Sequence, residues 1–258
     1  MTHEQRIREQ FARQAVGFGD RRLTLARAEY LNWMVASLPL APEARVLDVA
    51  AGTGHLGRAI APHVREVVAL DATPEMLAEG RAEAERAGLT NITFEEGLAE
   101  ELPYSDGSFD LVACRFAVHH FEHPQVQLAE MARVCKPGGS VGVIDLVFPG
   151  EPPAAERYNE WERLRDPSHT RALPEAELVA LVEAAGLSAS HAERREIEAR
   201  VEGWLGLTQA PHEAGDRIRT ALRREIGGGA ATGLRPFVRD GELMFRHTWA
   251  IVVGRKRA

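Results

Sequence analysis

A chain of 258 residues, 45% hydrophobic and 27% charged, has the composition of a folded globular protein and the length of one large α/β domain with a cap. Its net charge of −7 argues against nucleic acid as the main partner, because phosphate binding needs a basic face, and short runs such as Arg194-Arg195 and Arg255-Lys256-Arg257 read as solvated surface. No apolar run reaches the roughly 20 residues of a membrane span, the N-terminus lacks a signal-peptide core, and Cys114 and Cys135 lie apart in apolar stretches, so a cytoplasmic protein with reduced thiols is expected.

In chain order, residues 6–14 have helical character, ended by Gly17-Phe18-Gly19. Leu23, Leu25, Ala28, Leu31, Met34, Val35 and Leu38 then repeat at helical spacing until Pro39 and Pro42. A strand is expected at 45–49, followed by a turn of small residues and a helix over about 54–62. A second strand spans 66–71, and a helix from Pro74 to Ala87 is capped by Gly88. Strands at 92–95 and 109–114, a helix at about 124–135, the turn Lys136-Pro-Gly-Gly139 and a strand at 140–146 complete an alternating block. Strand and helix alternating at this spacing build βαβ units around a parallel sheet. Beyond Phe148 the pattern is less regular. A proline-rich stretch (149–173) holds a short helix around Trp161, and a helix over 174–185 ends at Gly186. A weakly marked strand follows at 187–200. A helical region over 203–226 is interrupted by Pro211 and Gly215, and a strong last strand covers 245–254.

The segment Arg45-Val-Leu-Asp-Val-Ala-Ala-Gly-Thr-Gly-His-Leu-Gly57 is a strand, a glycine turn and a helix start, a ligand-binding device. Glycines admit close approach of a ligand, and the new helix offers unpaired N–H groups. Asp48 stands at the carboxyl end of the strand, where open α/β sheets bind ligands. Gly52-Thr-Gly-His-Leu-Gly57 also fits Gly-x-Gly-x-x-Gly, the dinucleotide pattern, so an NAD(P)-dependent oxidoreductase stays open beside other readings. No tyrosine is followed four residues later by lysine, as a short-chain dehydrogenase would need. Asp71 ends the second strand, placed to accept bonds from two ribose hydroxyls or to cap the helix after Thr73. No Cys/His cluster stands at ligand spacing, and no metal is expected.

Four segments occur in order: Val46-Leu-Asp-Val-Ala-Ala-Gly-Thr-Gly54, Val68-Ala-Leu-Asp-Ala72, Glu101-Leu-Pro-Tyr-Ser-Asp-Gly-Ser-Phe-Asp-Leu-Val112 and Arg133-Val-Cys-Lys-Pro-Gly-Gly139. Together they resemble the class I S-adenosylmethionine-dependent methyltransferases, particularly the branch of the ubiquinone/menaquinone-biosynthesis C-methyltransferases. The resemblance implies a doubly wound, mostly parallel seven-stranded Rossmann-like α/β sheet with an antiparallel last strand and helical cover elements. It divides the chain into an N-terminal cover (1–38), a cofactor-binding core (39–148) and a substrate-covering insert (149–173). A C-terminal part (174–258), with a helical insertion at 203–244, completes the sheet. It implies S-adenosylmethionine as cofactor, S-adenosylhomocysteine as product, and a small, partly apolar acceptor such as a quinone precursor or secondary metabolite.

By the same resemblance, Asp48, Ala50, Gly52, Thr53 and Gly54 surround the methionine part of the cofactor, and Asp71 binds the ribose. Ala72 and Met76 pack on the adenine, the Ala99 backbone N–H meets an adenine nitrogen, and the Arg115 carbonyl accepts from the methionine amino group. Phe18 would close over the cofactor. Ala50 replaces a frequent glycine, and Leu98 replaces a frequent aspartate at the adenine amine, with Glu100 nearby. The chemistry is an in-line displacement in which the protein positions, excludes water and, where needed, takes a proton. His120, next to His119 after the fourth strand, and His169, in the insert, are the candidate bases, each with a structural alternative. Tyr158 and Trp161 could line an apolar pocket or pack a helix. A cofactor-binding module without catalysis is a third reading, and oligomeric state is not encoded in any of these motifs.

Overall fold

A computed structural model describes residues 2–18, 24–148, 150 and 152–258. The fold is set by five short strands: β1 (Arg45–Val49), β2 (Glu66–Asp71), β3 (Ile92–Glu96), β4 (Phe109–Arg115) and β5 (Cys135–Val147). All pair in parallel, with β1 central between β2 and β4. Apolar residues occupy both faces of these strands, as a sheet covered on both sides requires. Val46 belongs to one core cluster with Met34, Leu56 and Ile60. Leu47 and Val49 belong to another with Leu128, Met131, Leu178 and Val182. The helices follow from that division. α2 (Ala28–Ser37) and α3 (His55–Ile60) cover the first face, and α5 (Pro124–Val134) and α7 (Glu175–Ala184) the second. α4 (Pro74–Arg86) packs by Leu77 and Ala84 against Phe94 of β3.

The sheet runs β3-β2-β1-β4-β5-β8-β6, with β8 (Glu242–Lys256) antiparallel to both its neighbours, β5 and β6 (Leu187–Arg200). This path has the seven strands and the antiparallel last strand that the sequence implies. An eighth, β7 (Phe237–Arg239), joins β8 through a two-residue hairpin. Asp240 and Gly241 both have positive φ, as a type I′ turn needs. Lys136–Gly139 is not a turn ahead of the strand. It bulges within β5, where the register passes from Phe109↔Cys135 to Leu111↔Ser140.

Three helical segments complete the chain: α1 (His3–Phe18), α6 (Pro152–Arg165) and the pair α8 (Val201–Leu207) and α9 (His212–Ile226). Pro211 separates the pair. It has no N–H to continue α8 and instead stands at the N-cap of α9, while Gly215 lies inside α9 without breaking it. The functional consequence lies in β8. Its pairing with β5 ends at Thr248↔Val147, but its pairing with β6 continues through His247↔Ile197 to Met244↔Arg200. The β6–β8 ladder therefore overhangs the carboxyl edge of the parallel strands. Among the described residues no helix is long and apolar enough to cross a membrane.

Candidate active site

A cavity of about 540 Å³ opens above that carboxyl edge. One end is built by the strand-to-helix turns. Ala50, Ala51 and Gly52 follow β1, Asp71 to Thr73 follow β2, and Gly97 to Glu100 follow β3. Asp71 is the organising group. Its Oδ2 accepts the Gly52 N–H at 2.7 Å and its Oδ1 accepts the Thr73 N–H at 2.9 Å. The carboxyl thus closes the glycine turn and starts α4, while its half-buried side lines the cavity. Burial pushes its pKa up, and the backbone N–H bonds pull it down. A carboxylate with unused lone pairs, flanked by Leu98 and Ala99, fits a ribose carrying a flat heterocycle. Both of the sequence's alternatives for Asp71 are therefore compatible with one position.

The turn itself is held in left-handed conformations: Ala50 φ 52°, Gly52 φ 57° and Gly54 φ 70°. A Cβ on Gly54 would stand 2.8 Å from Phe94 Cε1, so the turn is also packed tightly from behind. Ala50 bears a strain that glycine would not, of about 1–2 kcal/mol in the left-handed region. Ala50→Gly is therefore expected to raise stability by about 1 kcal/mol, a rise of roughly 2–4 °C in Tm. A lowered Tm in a thermal scan would contradict the strain.

Asp48, Thr53, Gly54 and Met76 are not cavity-lining residues; they support the turn from below. Asp48 Oδ2 accepts the Gly57 N–H at 2.8 Å, tying β1 to α3, while Oδ1 is buried without a hydrogen-bond partner. Burial pushes the Asp48 carboxyl up to about 7, opposed by the Gly57 bond and by the Arg115 charge. A carboxyl raised in the fold binds its proton more tightly folded than unfolded. Its stabilising contribution is complete below about pH 4 and is lost as pH rises to about 7. The unfolding free energy of the wild type relative to Asp48→Asn is expected to fall across that window by an amount on the order of 4 kcal/mol. Urea titrations at stepped pH measure it, and a difference independent of pH would refute the assignment.

Arg115, at the end of β4, does more than offer its carbonyl. Its Nη1 donates to the Leu25 carbonyl at 2.8 Å, and its guanidinium lies 5.0 Å from the Phe116 ring centroid. Burial draws its pKa down to about 10, and Asp48 opposes that shift. Arg115 thereby fastens residues 24–27 over the cavity mouth. Leu98 and Ala99 line the end of the cavity built by the turns, as does Ala72. Glu100 lines it too, with one carboxylate oxygen taken by Gln127 Nε2 at 2.6 Å. Phe18 ends α1, and its side chain lies outside the described residues.

Two histidines, His119 and His120, line the cavity between the turns and its other half. His119 Nδ1 is 2.5 Å from Asp145 Oδ1, and its backbone N–H donates to Oδ2 at 3.1 Å. His120 Nδ1 faces two Ser168 atoms, the carbonyl at 3.0 Å and Oγ at 3.1 Å. The Ser168 hydroxyl donates to Asp166 Oδ1 at 2.5 Å, so both Ser168 atoms are acceptors toward the ring. Nδ1 of His120 therefore carries the proton and Nε2 holds the lone pair. Burial, with the neighbouring His119, lowers the His120 pKa to about 4, which keeps the ring neutral. His169 is not among the residues lining the cavity. Its Nε2 donates to Asn159 Oδ1 at 2.8 Å, and the same oxygen accepts the Ala172 N–H. That ring pins the 166–172 loop to α6.

The second half of the cavity is apolar. Ile197 and Ala199 of β6, Phe245, His247 and Trp249 of β8, and Trp204 of α8 form its walls. α1 supplies one helical face, Glu4, Ile7, Arg8, Phe11 and Gln14. Gln10 Nε2 fastens that helix to the Thr208 carbonyl at 2.8 Å. These wall residues were not singled out by the sequence motifs. Their signal was the alternation in Phe245-Arg-His-Thr-Trp249, which places residues 245, 247 and 249 on one face. Tyr158 is buried beside Phe148 and does not line the cavity; it packs α6 rather than the pocket.

Comparison with known proteins accords with this geometry. A family model described as a methyltransferase domain matches residues 46–139. An uncharacterized methyltransferase, YcgJ of Bacillus subtilis, is 34% identical over 212 residues, covering 82% of this chain and 83% of its own. The crystal structure of that protein superposes with a TM-score of 0.80, over 89% of this chain and 99% of its own. The chain is a class I S-adenosylmethionine-dependent methyltransferase. The dinucleotide alternative for its glycine turn therefore falls away, and S-adenosylmethionine is its methyl donor. The enzyme also shares 39% identity over 124 residues with the ubiquinone/menaquinone biosynthesis C-methyltransferase UbiE of Ectopseudomonas mendocina, about half of either chain. The end built by residues 50–52, 71–73 and 97–100 offers a donor and acceptor set that would fit this cofactor.

Proposed function

We propose that this methyltransferase acts on a small, partly apolar acceptor of the kind represented by a quinone precursor or a secondary metabolite. The observation that carries the reading is one continuous cavity with two unlike ends. The first is built from turn backbone and the Asp71 carboxylate, the second from Ile197, Trp204, Phe245 and Trp249. A buried apolar wall of this kind favours a planar apolar molecule over a polymer end, and a cavity of this volume is of small-ligand size. When bound, S-adenosylmethionine supplies a methyl group that is already activated.

The chain's own residues do the rest. Asp71 and the 97–100 backbone hold and orient the donor. The apolar walls exclude water and align the acceptor. His120, neutral with its proton committed to Ser168, presents Nε2 to take a proton at the junction of the two ends. In this reading residues 1–38, 149–173 and 203–244 choose the acceptor, through side chains such as Phe11, Arg165 and Trp204. The likeness to UbiE over the core, whose name refers to quinone biosynthesis, supports the same class.

The test is to incubate the enzyme with methyl-labelled S-adenosylmethionine and a panel of phenols, quinone precursors, total RNA and protein. Label is expected in the solvent-extractable small molecules. Label carried by the RNA or protein fraction instead would overturn the reading.

A further inference from the structure

The apolar half of the cavity is closed by a polar group that no step above uses. His247 lies on the overhanging part of β8, buried to 8% exposure, and lines the cavity. Its Nε2 is 3.4 Å from Oε1 of Glu162, a wholly buried carboxyl on α6, close enough to feel its charge but without an aligned hydrogen bond to it. Glu162 also stands 3.1 Å from Arg165 Nη2, without an aligned hydrogen bond to it. Arg165 in turn lies 4.7 Å over the Trp204 ring and donates through Nη1 to the Trp204 carbonyl at 3.3 Å. α6 thus presents an acid to one edge of an imidazole whose other edge belongs to the cavity.

The acid decides the tautomer. A carboxylate beside Nε2 favours the proton on Nε2, and the lone pair is then on Nδ1. Among the described residues no hydrogen bond reaches Nδ1, and Nε2, the more deeply buried nitrogen, makes none either. Burial and the charges of Arg165, His119 and Arg235 hold the ring neutral, with a pKa lowered to about 3. A neutral imidazole with its lone pair toward an apolar pocket accepts a hydrogen bond and donates none there. Arg165, close by on the same wall, disfavours a cationic amine as the donor. A neutral hydroxyl on a flat apolar ring meets both conditions.

We propose that His247, oriented by Glu162, is the specificity-determining residue of the acceptor pocket and receives a hydroxyl group of a planar, hydroxylated aromatic acceptor. This rests on the small-molecule reading above. A substrate hydroxyl here gains one bond to a buried acceptor that is otherwise unmade. An isostere without the proton, such as a methyl ether, leaves Nδ1 unpaired and puts two lone pairs in opposition.

The test uses the full chain saturated with S-adenosylhomocysteine, titrated by calorimetry with naphthol and with its methyl ether. Naphthol is expected to bind about tenfold more tightly or better. In His247→Phe the preference is expected to vanish through loss of naphthol affinity, with the ether unaffected. In His247→Gln, whose amide oxygen can still accept, part of it returns. Retained thermal stabilisation by S-adenosylhomocysteine certifies each variant as folded. Independently of any variant, the histidine ring-nitrogen NMR spectrum of the wild type should show one unprotonated Nδ1 that shifts with naphthol and not with the ether. Equal binding of both probes, binding of neither, a preference that survives His247→Phe, or a spectrum unmoved by naphthol would each overturn the proposal. If S-adenosylhomocysteine binds and only the naphthol preference is missing, this proposal fails and the donor site stands. Methyl label entering macromolecules would instead fail the small-molecule reading.

Discussion

Replacing Asp71 with Ala is expected to weaken S-adenosylhomocysteine binding by about tenfold to a hundredfold in isothermal titration. Two losses act together. The ligand loses its charge-assisted bonding to the carboxylate, worth about 1.5–3 kcal/mol in all. The turn loses the acceptor that joins Gly52 N–H to Thr73 N–H, so the cofactor end loosens as well. Asp71→Asn separates the two. One amide oxygen can still hold one of these N–H groups, so its turn should stay closed while the charge is gone. Its affinity is expected between wild type and Asp71→Ala. Unchanged affinity in Asp71→Ala would show that the carboxylate serves the turn alone.

The second large effect is one of stability. Arg165→Leu is expected to lower the unfolding free energy by about 3–5 kcal/mol, because removing one partner of a buried ion pair strands the other. Arg165 is 6% exposed and Glu162 not at all. The nearest other carboxylate, Asp166, is 3.9 Å from Arg165, so the loss leaves two acids without their cation. The contact of the guanidinium with Trp204 goes too. The double variant Glu162→Met with Arg165→Met is expected to recover much of the loss, since apolar side chains of similar length fill the space without a charge to desolvate. Chemical denaturation of the three proteins measures both steps. A single variant within about 1 kcal/mol of wild type would mean the pair contributes little.

How far the sequence could be read depended on where the information was local. The β1 turn was legible because glycine at positive φ, a strand-end acid and a following helix are all neighbours in the chain. Gly52, Asp71 and residues 97–99 line one end of the cavity, with Gly54 in the turn beneath it. The strong strands β1, β2 and β4 were legible from apolar runs bounded by turns, and their ends fell close to expectation. The apolar half of the cavity was not legible, because its walls come from α1, α6, α8, β6 and β8, which are far apart in sequence. β6 is rich in charge, with most of its side chains exposed. Only its pairing along β8 shows that Ile197 and Ala199 face inward. The Asp240-Gly241 hairpin carried a local signal for β7 that the weight given to the helical region obscured. For the histidines, the sequence marked His119, His120 and His169 by position. Their different tasks depend on partners 26, 48 and 10 residues away. His247 stood in an ordinary alternating strand, and only Glu162, distant in sequence, distinguishes it.

The central claim is that one cavity has a donor end and an acceptor end. A crystal structure of the protein with S-adenosylhomocysteine tests it most directly. Ligand density is expected in contact with the Asp71 carboxylate and the 97–100 backbone, with the half walled by Ile197, Trp204 and His247 left open. Density filling that apolar half instead, with Asp71 untouched, would contradict it.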